Sequence, residues 1–353
     1  MLVFALPLLF VLLFVLERIL FGYLWGKGID VSLSFLSHSI REGERAEVEE
    51  RSENRNHFPF VSMTLSWSLD RLYSPYHKNS RQFKVSSTFH FPHRSIIRRT
   101  TSIEGLERGV YTISGGIISS ADIFSVDEYT KEIYSDSVLH VYPERKKAFG
   151  RSFAYRGYLG TVLSQRRSLE DPFEVKSIRP YLPTDPMRNV NWKATARTGN
   201  MKVNQYEWTT EESVMVVLDL YGGSDEEKEE LIRYVSAFSF LILSRGTSLS
   251  LCTNGRDARD GRRIEVGKGS GEGHAKSVDT ALSEIKVSST TDTLSALISS
   301  LGDKISSSPV LFSVSPKEDE IDSFLLVGEG SGAVFVLKGE ERKNVFLLGG
   351  GDE

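Results

Sequence analysis

Residues 214–219 read Val214-Met215-Val216-Val217-Leu218-Asp219, an unbroken apolar run that ends in an aspartate. Such a run is typical of a central parallel strand that is buried on both faces of a sheet. Ser224 and Glu227 then form a capping box, and apolar residues recur at helical spacing as far as Arg245. A second apolar run at residues 248–253 predicts the next strand. This stretch therefore predicts a strand, a helix and a parallel return strand, the repeating unit of open α/β sheets.

The same alternation continues toward the carboxyl end of the chain. Further apolar and amphipathic runs predict strands at residues 310–314, 333–337 and 345–348, and helices at residues 274–285, 292–301 and 318–326. The economical arrangement is an open α/β domain over residues 213–353 with helices on both faces. The glycine-rich stretches 267–273 and 328–332 lack the spacing of phosphate-binding or dinucleotide-binding loops, so we expect flexible surface loops there.

Residues 29–145 have the alternating pattern of β-structure. Val31, Leu33 and Phe35 alternate with serines, a second such run covers residues 83–91, and glycine-containing turns separate the runs. No long helical period intervenes, so the pattern predicts a small β-sandwich domain. Its basic residues either form a solvated face or meet anionic lipid headgroups, and the residues concerned are Arg94, Arg98 and Arg99.

The amino terminus has the composition of a membrane span. Residues 2–16 contain no charged residue, Glu17 and Arg18 follow, and residues 19–25 are apolar again. We predict one transmembrane helix at about residues 2–25, in contact with membrane lipid. A cleaved signal peptide is the alternative, although no basic segment precedes the run and no Ala-x-Ala site follows it.

This anchor segment, residues 1–28, also sets the expected topology. Arg18, Lys27 and Arg41 all follow the apolar span, so the positive-inside rule places the globular body in the cytoplasm. The expected location is the cell membrane, with a single pass. Because the later chain has no comparable apolar span, removal of residues 1–27 is expected to leave a soluble, folded protein.

Residues 179–199 combine cations, an indole and two helix-boundary signals. Asp185 and Pro186 predict the start of a short helix, and Gly199 predicts its end. The candidate binding residues of this segment are Arg179, Tyr181, Asp185, Arg188, Trp192, Lys193 and Arg197. Two interpretations remain open: these residues bind a partner or ligand, or the charged ones tie the helix to an adjoining sheet while Trp192 anchors it in a core.

The segment of residues 146–212, which contains this short helix, resembles the signature of the bacterial domain of unknown function 58 family. The matching residues are Arg179, Tyr181, Pro183, Asp185, Arg188, Trp192 and the run 193–197. Thr184 replaces the usual glycine and Asn191 the usual aspartate. The resemblance extends over nearly the whole chain, because it includes residues 42–44, 54–56, 108–111, Ser119, Ser120, Asp122 and Phe124.

The resemblance implies a von Willebrand factor type A-like fold for residues 213–353, whose metal-ion-dependent adhesion site begins with Asp-x-Ser-x-Ser. Here the motif reads Asp219-Leu-Tyr221-Gly-Gly223, and Ser315-Pro316 stands where a second aspartate is usual. A hard cation needs several converging oxygen ligands. We therefore expect a degenerate, metal-free site in which Asp219 has a structural role at the strand end. The chain as a whole is predicted as an α+β multidomain protein, in which a transmembrane helix and a β-sandwich precede the open α/β domain.

Composition and motifs limit the function classes. A net charge of -4 with both signs interspersed excludes a long-range field that attracts nucleic acid, and the single Cys252 excludes an intrachain disulfide. No nucleophile, base and orienting residue stand in a recognisable pattern, and no cofactor motif is complete. The preferred function is a non-enzymatic, membrane-anchored interaction module. The alternative is an enzyme that acts on an anionic substrate at Asp185, Arg188, Lys193 and Arg197.

The family resemblance also implies a partner for such a module. That partner is a MoxR-type AAA ATPase, and the pair would act in the assembly or regulation of envelope or metal-dependent complexes. An excess of fixed cations without an evident nucleophile favours binding over turnover at the signature segment.

Overall fold

A computed structural model describes residues 2–71, 83–122, 126–145, 170–208, 213–290, 292–301, 308–327, 333–336 and 345–348. The chain divides into two compact units. Unit 1 comprises Met1–Glu144, Arg256–Arg262 and Asp279–Ser289, and unit 2 comprises Arg145–Gly255, Arg263–Val278 and Thr290–Glu353. Each unit therefore collects segments that are distant in sequence.

Unit 1 is built on two β-sheets. Its strands are β1 (Ile29–Phe35), β2 (Ser39–Arg41), β3 (Ala46–Asn54), β4 (Phe60–Arg71), β5 (Phe83–Phe91), β6 (Ser95–Ile103), β7 (Gly109–Ala121), β8 (Glu128–Ile133) and β9 (Val138–Tyr142). One sheet has the order β1-β3-β6, and the other has the order β2-β9-β7-β4-β5 with β8 also paired to β7. Both sheets contribute alternate residues to one apolar core, as the period of two in the sequence predicted.

A buried carboxylate lies within this core. Glu50 on β3 accepts hydrogen bonds from Trp67 Nε1 (2.9 Å), Thr101 Oγ1 (2.9 Å) and Arg99 Nη2 (2.7 Å). Arg99 therefore compensates a buried charge and is not part of a lipid-facing basic cluster, whereas Arg98 is exposed.

The first helix, α1 (Leu2–Gly26), contains a stretch that is long and apolar enough to cross a membrane, Pro7–Trp25. Its last turns belong to unit 1, because Phe21 and Trp25 are buried in the same core as the strands. Phe21 meets Phe60 edge-to-face with ring centroids 5.3 Å apart, and it also contacts Phe58 and Tyr129. The expectation that residues 1–27 can be removed without loss of fold is therefore revised: a cut after residue 27 removes two core aromatic residues.

A buried arginine joins β7 to a distant helix end. Arg108, directly before β7, is 1% exposed, and its guanidinium donates to the carbonyls of Leu282 (2.7 Å) and Ile285 (3.0 Å). Those carbonyls lie at the end of a helix that we number α4 (Gly271–Glu284) and in the short strand β15 (Ile285–Lys286). Arg108 thus satisfies carbonyl groups that a helix terminus leaves without intrahelical partners.

Unit 2 has the predicted order of strands and helices. After β10 (Glu170–Pro180) its elements are α2 (Trp192–Thr198), β11 (Lys202–Trp208), β12 (Ser213–Asp219), α3 (Asp225–Ser244), β13 (Ser248–Asp257), β14 (Arg263–Gly269), α4, α5 (Leu294–Leu301), β16 (Ser308–Ser313), α6 (Glu318–Val327), β17 (Ala333–Val336) and β18 (Val345–Leu348). The sheet order is β14-β13-β12-β16-β17-β18. β12 pairs in parallel with both β13 and β16, and it is the buried central strand that its apolar run predicted.

Helices cover both faces of this sheet. On one face Phe238 of α3 meets Phe312 of β16 with ring centroids 5.2 Å apart. On the other face α5 and α6 pack on β12 and β16 through a cluster that includes Leu297, Phe324 and the buried Cys252. The capping box of Ser224 and Glu227 at the start of α3 is formed as predicted.

One glycine-rich prediction was wrong. Residues 267–269 end strand β14 and residues 271–273 begin helix α4, so this stretch is not a surface loop. The ring of His274 lies against Gly269 and its Nε2 is 2.8 Å from the Leu249 carbonyl oxygen, which gives the stretch a tertiary partner. Residues 328–332 lie outside the described residues.

Candidate functional site

The signature segment connects an antiparallel strand pair, β10 and β11. A 3-10 turn (Met187–Asn189) and helix α2 occupy the connection. The predicted helix start at Asp185 and Pro186 was wrong: the residue that caps α2 is Asn191, whose side chain accepts a hydrogen bond from Ala194 N–H at 2.9 Å. Gly199 ends the helix in the left-handed conformation (φ 69°), as predicted.

Asp185 does not cap a helix; its main partner is the guanidinium of Arg179. Its carboxylate accepts two hydrogen bonds from the Arg179 guanidinium, at 2.7 and 2.6 Å, and one from Leu182 N–H at 2.8 Å. The hydrogen bonds from Arg179 and Leu182 hold the pKa of the Asp185 carboxyl below its usual value. The carboxylate is therefore a weak proton acceptor, which disfavours a general base at this position.

The remaining cations of the segment are exposed. The side chains of Arg188, Lys193 and Arg197 form no hydrogen bond or ion pair with any residue that the structure describes. The proposed network of Asp185 with Arg188 and Arg197 is thus not formed. Lys193 and Arg197 are four residues apart on α2, which places them on one face of the helix.

Trp192 is not a core anchor, because 63% of its surface is exposed. Met187 is also exposed, at 55%. Beneath them the segment is braced by Val190 and Val203, which are buried and form a β-bridge. We call Met187, Arg188, Trp192, Lys193 and Arg197 the signature surface. It combines apolar and cationic groups on a supported backbone, an arrangement that suits binding of an acidic and partly apolar partner.

Tyr181 and Arg179 have supporting positions beside this surface. Tyr181 is half-buried, and its backbone N–H donates to the Met201 carbonyl at 3.0 Å. The Arg179 guanidinium is engaged by Asp185, so it stabilises the turn.

A second polar cluster lies at the carboxyl ends of β12, β13 and β16, and all its members are buried. Asp219 is 2% exposed. Its Oδ1 accepts from Tyr221 N–H (3.0 Å) and Asn254 Nδ2 (2.6 Å), and its Oδ2 accepts from Ser313 Oγ (2.7 Å). The carboxylate thus accepts hydrogen bonds from one backbone amide and two side chains at the strand ends.

Asn254 completes the cluster and was not anticipated from the sequence. Its Oδ1 accepts from Leu220 N–H at 2.8 Å, and its Nδ2 also donates to the Asp292 carbonyl at 2.9 Å. From strand β13 the amide thus links the end of β12 to the backbone at Asp292, with good hydrogen-bond geometry. In the sequence, Asn254 is only a polar residue at the end of a predicted strand. Such residues are common, so the pattern does not predict a contact with Asp219.

The backbone at Gly223, one of the two positions where the adhesion-site motif has serine, does not readily accept a side chain. Gly223 has φ 68°, and a Cβ atom there would lie 2.5 Å from Val314 Cγ1, so a serine would require the chain to move. Among the described residues, no three His, Cys, Asp or Glu side chains converge on a point that could hold a metal.

Burial raises the pKa of the Asp219 carboxyl, because loss of hydration outweighs the hydrogen bonds from Ser313, Tyr221 and Asn254. We expect Asp219→Asn to keep the fold, since an amide can accept from Tyr221 and Asn254 and donate to Ser313. Asp219→Ala leaves three donors without their acceptor and should lower the free energy of unfolding by about 3 kcal/mol. Urea unfolding of both variants measures the difference.

The difference in stability between the wild type and Asp219→Asn should depend on pH in a defined direction. Because the folded-state pKa exceeds the unfolded value near 3.8, the stability that Asp219 contributes is present below that value and is lost as the pH rises through the folded-state pKa. Asp219→Asn does not titrate, so its stability relative to the wild type should increase over that interval. A difference that is constant with pH would contradict a titrating buried carboxyl.

Solved structures of low similarity match about a third of the chain. The CARDB domain of the PF1109 protein from Pyrococcus furiosus is 10% identical over 32% of this chain and 96% of that chain, with a TM-score of 0.20. The C-terminal domain of wzt is 11% identical over 32% of this chain and 73% of that chain, with a TM-score of 0.24. A β-glucosidase from Listeria innocua is 13% identical over 32% of this chain and 16% of that chain, with a TM-score of 0.20.

No curated protein matches the chain. A family model does match part of it, and the matched residues, 177–315, include the signature surface and the Asp219 cluster. The model is described as "Protein of unknown function DUF58". Over residues 177–315 the match supports the resemblance to the DUF58 family that the signature residues indicated.

Proposed function

We propose that this protein is a membrane-anchored, non-enzymatic interaction protein whose signature surface docks a partner protein. The family resemblance points to a MoxR-type AAA ATPase as that partner. The pair would act in the assembly or regulation of envelope or metal-dependent complexes. The observation that carries this proposal is the exposure of Trp192 beside three cations that have no partner among the described residues.

The composition of the surface supports docking over catalysis. Tryptophan and arginine are the residues that contribute most often to binding energy at protein interfaces. Exposed cations add long-range attraction to an acidic partner and select against basic ones. The carboxylate that an enzyme would need here, Asp185, is already bound by Arg179.

The membrane topology is part of the proposal. Helix α1 supplies a single pass, and the position of Arg18, Lys27 and Arg41 after the apolar span favours a cytoplasmic body. In that orientation the signature surface faces the compartment that contains ATP, as a AAA ATPase partner requires.

We further propose that unit 2 is a von Willebrand factor type A-like domain that no longer uses a metal. The parallel order of β13, β12 and β16 and the position of Asp219 at the strand ends support this relation. Asn254 and Ser313 then substitute for a cation as the groups that satisfy the aspartate. The expected tolerance of Asp219→Asn tests this part of the proposal, because an amide is a poor replacement for a metal-binding carboxylate.

Removal of the signature side chains should abolish binding without unfolding the protein. We expect Trp192→Ala, and separately Lys193→Gln combined with Arg197→Gln, to weaken binding of a purified MoxR-type ATPase by tenfold or more, on the order of 1.4 kcal/mol. Their free energies of unfolding should change by less than about 0.5 kcal/mol, since these side chains are exposed. Arg98→Gln, an exposed change in unit 1, is the matched control and should bind normally. Folded signature variants that retain full affinity would remove this surface from the proposal.

A further inference from the structure

One face of helix α1 is fixed to unit 1. Phe14, Arg18, Phe21 and Trp25 recur at helical spacing, and burial increases along this stripe until Phe21 and Trp25 are inaccessible to solvent. The stripe shows that the last three turns of the helix pack on the unit, while residues 7–13 are exposed all round.

Polar contacts add to this packing. Asn56 Nδ2 donates to the Leu24 carbonyl at 3.1 Å, and Arg55 N–H donates to the Gly28 carbonyl at 2.7 Å. Arg18 forms an ion pair with Asp127. Because apolar packing, backbone hydrogen bonds and an ion pair all hold the helix against unit 1, its depth in a membrane sets the position of unit 1.

The opposite face of these turns is exposed and apolar, and it includes Leu16, Ile19 and Leu20. Residues 2–20 give about 28 Å of helix at 1.5 Å per residue, close to the roughly 30 Å of a hydrocarbon core. A spanning α1 therefore places the hydrocarbon boundary near Leu20. Tyr23 and Lys27 then lie in the headgroup layer, where aromatic and basic residues are favoured.

Parts of unit 1 lie beside this end of the helix. The Arg18 ion pair holds residues 126–127 near the hydrocarbon boundary, and Val126 is 58% exposed. The bonds to Leu24 and Gly28 hold the loop of residues 55–58 near the headgroup layer. We call these two segments, together with Arg94, the membrane rim.

The charges of the rim suit lipid phosphate. Arg94 N–H donates to the Asn56 carbonyl at 3.0 Å, and Lys27 Nζ lies 4.4 Å from the centre of the Tyr23 ring. Neither Lys27 nor Arg94 has a carboxylate partner among the described residues. Two nearby acids are already engaged, because Asp127 pairs with Arg18 and Glu53 with Arg55, whereas Glu128 is exposed.

We propose that the membrane rim of unit 1 is embedded in the phospholipid headgroup layer, with Val126 at the hydrocarbon boundary and Lys27 and Arg94 facing lipid phosphate. This inference rests on the proposed membrane anchoring by α1. In this arrangement unit 1 is in direct contact with the bilayer and is not separated from it by a flexible linker.

The test uses the full-length chain with Cys252→Ala and one added cysteine that bears a fluorophore. Val126→Cys and, independently, His57→Cys report on the rim. Glu104→Cys is the control, since it follows β6 at the end remote from Arg94, and the strand between them is about 26 Å long at 3.3 Å per residue. Each protein is reconstituted into vesicles of phosphatidylcholine and phosphatidylglycerol that contain a headgroup-bound quencher.

We expect the protein to float with the vesicles and both rim labels to be quenched several-fold more than the label at position 104. Flotation with equal quenching at all three positions would overturn the rim while leaving the anchor intact. Failure to float would overturn the anchor, and the rim with it.

Discussion

Replacement of Phe21 and Trp25 by alanine should unfold unit 1, although both residues belong to a helix that resembles a simple membrane anchor. Each side chain is buried among aromatic residues of the strands. Truncation of a buried phenylalanine or tryptophan costs about 3–5 kcal/mol, so the pair should cost on the order of 6–10 kcal/mol. That loss is comparable with the whole stability of a typical domain, about 5–15 kcal/mol.

The matched control lies on the same helix. Leu9 and Leu13 are exposed, and their joint replacement by alanine should leave the fold of unit 1 unchanged in detergent micelles. Hydrogen exchange of the β3 and β4 amides measures the outcome for both double variants. If β3 and β4 were as well protected in the Phe21 and Trp25 double variant as in the wild type, the end of α1 would not be needed for the fold of unit 1.

Arg108→Ala should strongly destabilise the protein. The guanidinium is buried and donates to carbonyls at the end of α4, and the backbone N–H of the same residue donates to Glu42 Oε1 at 2.9 Å. Its loss leaves buried acceptors without a donor and opens a cavity. The expected cost is about 3–5 kcal/mol in the free energy of unfolding.

Two further variants separate geometry from charge at this position. Arg108→Lys keeps the positive charge but replaces the planar guanidinium with a single ammonium group. It should therefore be more stable than Arg108→Ala but less stable than the wild type. Arg98→Ala removes an exposed arginine from the neighbouring sheet and should change stability by less than about 0.5 kcal/mol. A small loss for Arg108→Ala in urea unfolding would contradict the capping role.

Local patterns predicted most elements of unit 2 because its strands and helices are fixed by their own periodicity. Each of three correct predictions depends only on residues that are close in sequence. They are the strand that ends at Asp219, the capping box at Ser224 and the left-handed cap at Gly199. The start of α2 was missed for a physical reason. Asp185 and Asn191 are both good caps, and the choice between them depends on Arg179, which binds the Asp185 carboxylate.

The residues that were not predicted from the sequence at all form hydrogen bonds with residues that are distant in sequence. Arg108 and Leu282 are 174 positions apart, and Asn254 and Asp219 are 35 apart. A polar residue in a strand or loop does not show which carbonyl or carboxylate the fold will bring to it. The signature surface was predicted as a set of residues, but sequence spacing could not decide between exposure and burial of Trp192.

The long separation between Arg108 and its acceptors has a consequence during synthesis. At about 5–20 residues per second, a ribosome needs on the order of 9–35 s to add the residues that separate Arg108 from Leu282. Helix α1 has left the ribosome long before then and is available to the insertion machinery, whereas residues 256–262 and 279–289 of unit 1 do not yet exist. In the proposed topology, membrane insertion would therefore precede completion of the first unit. The apolar core of unit 1 draws on residues 21–141, so what arrives last is the set of carbonyl acceptors for the buried Arg108 guanidinium.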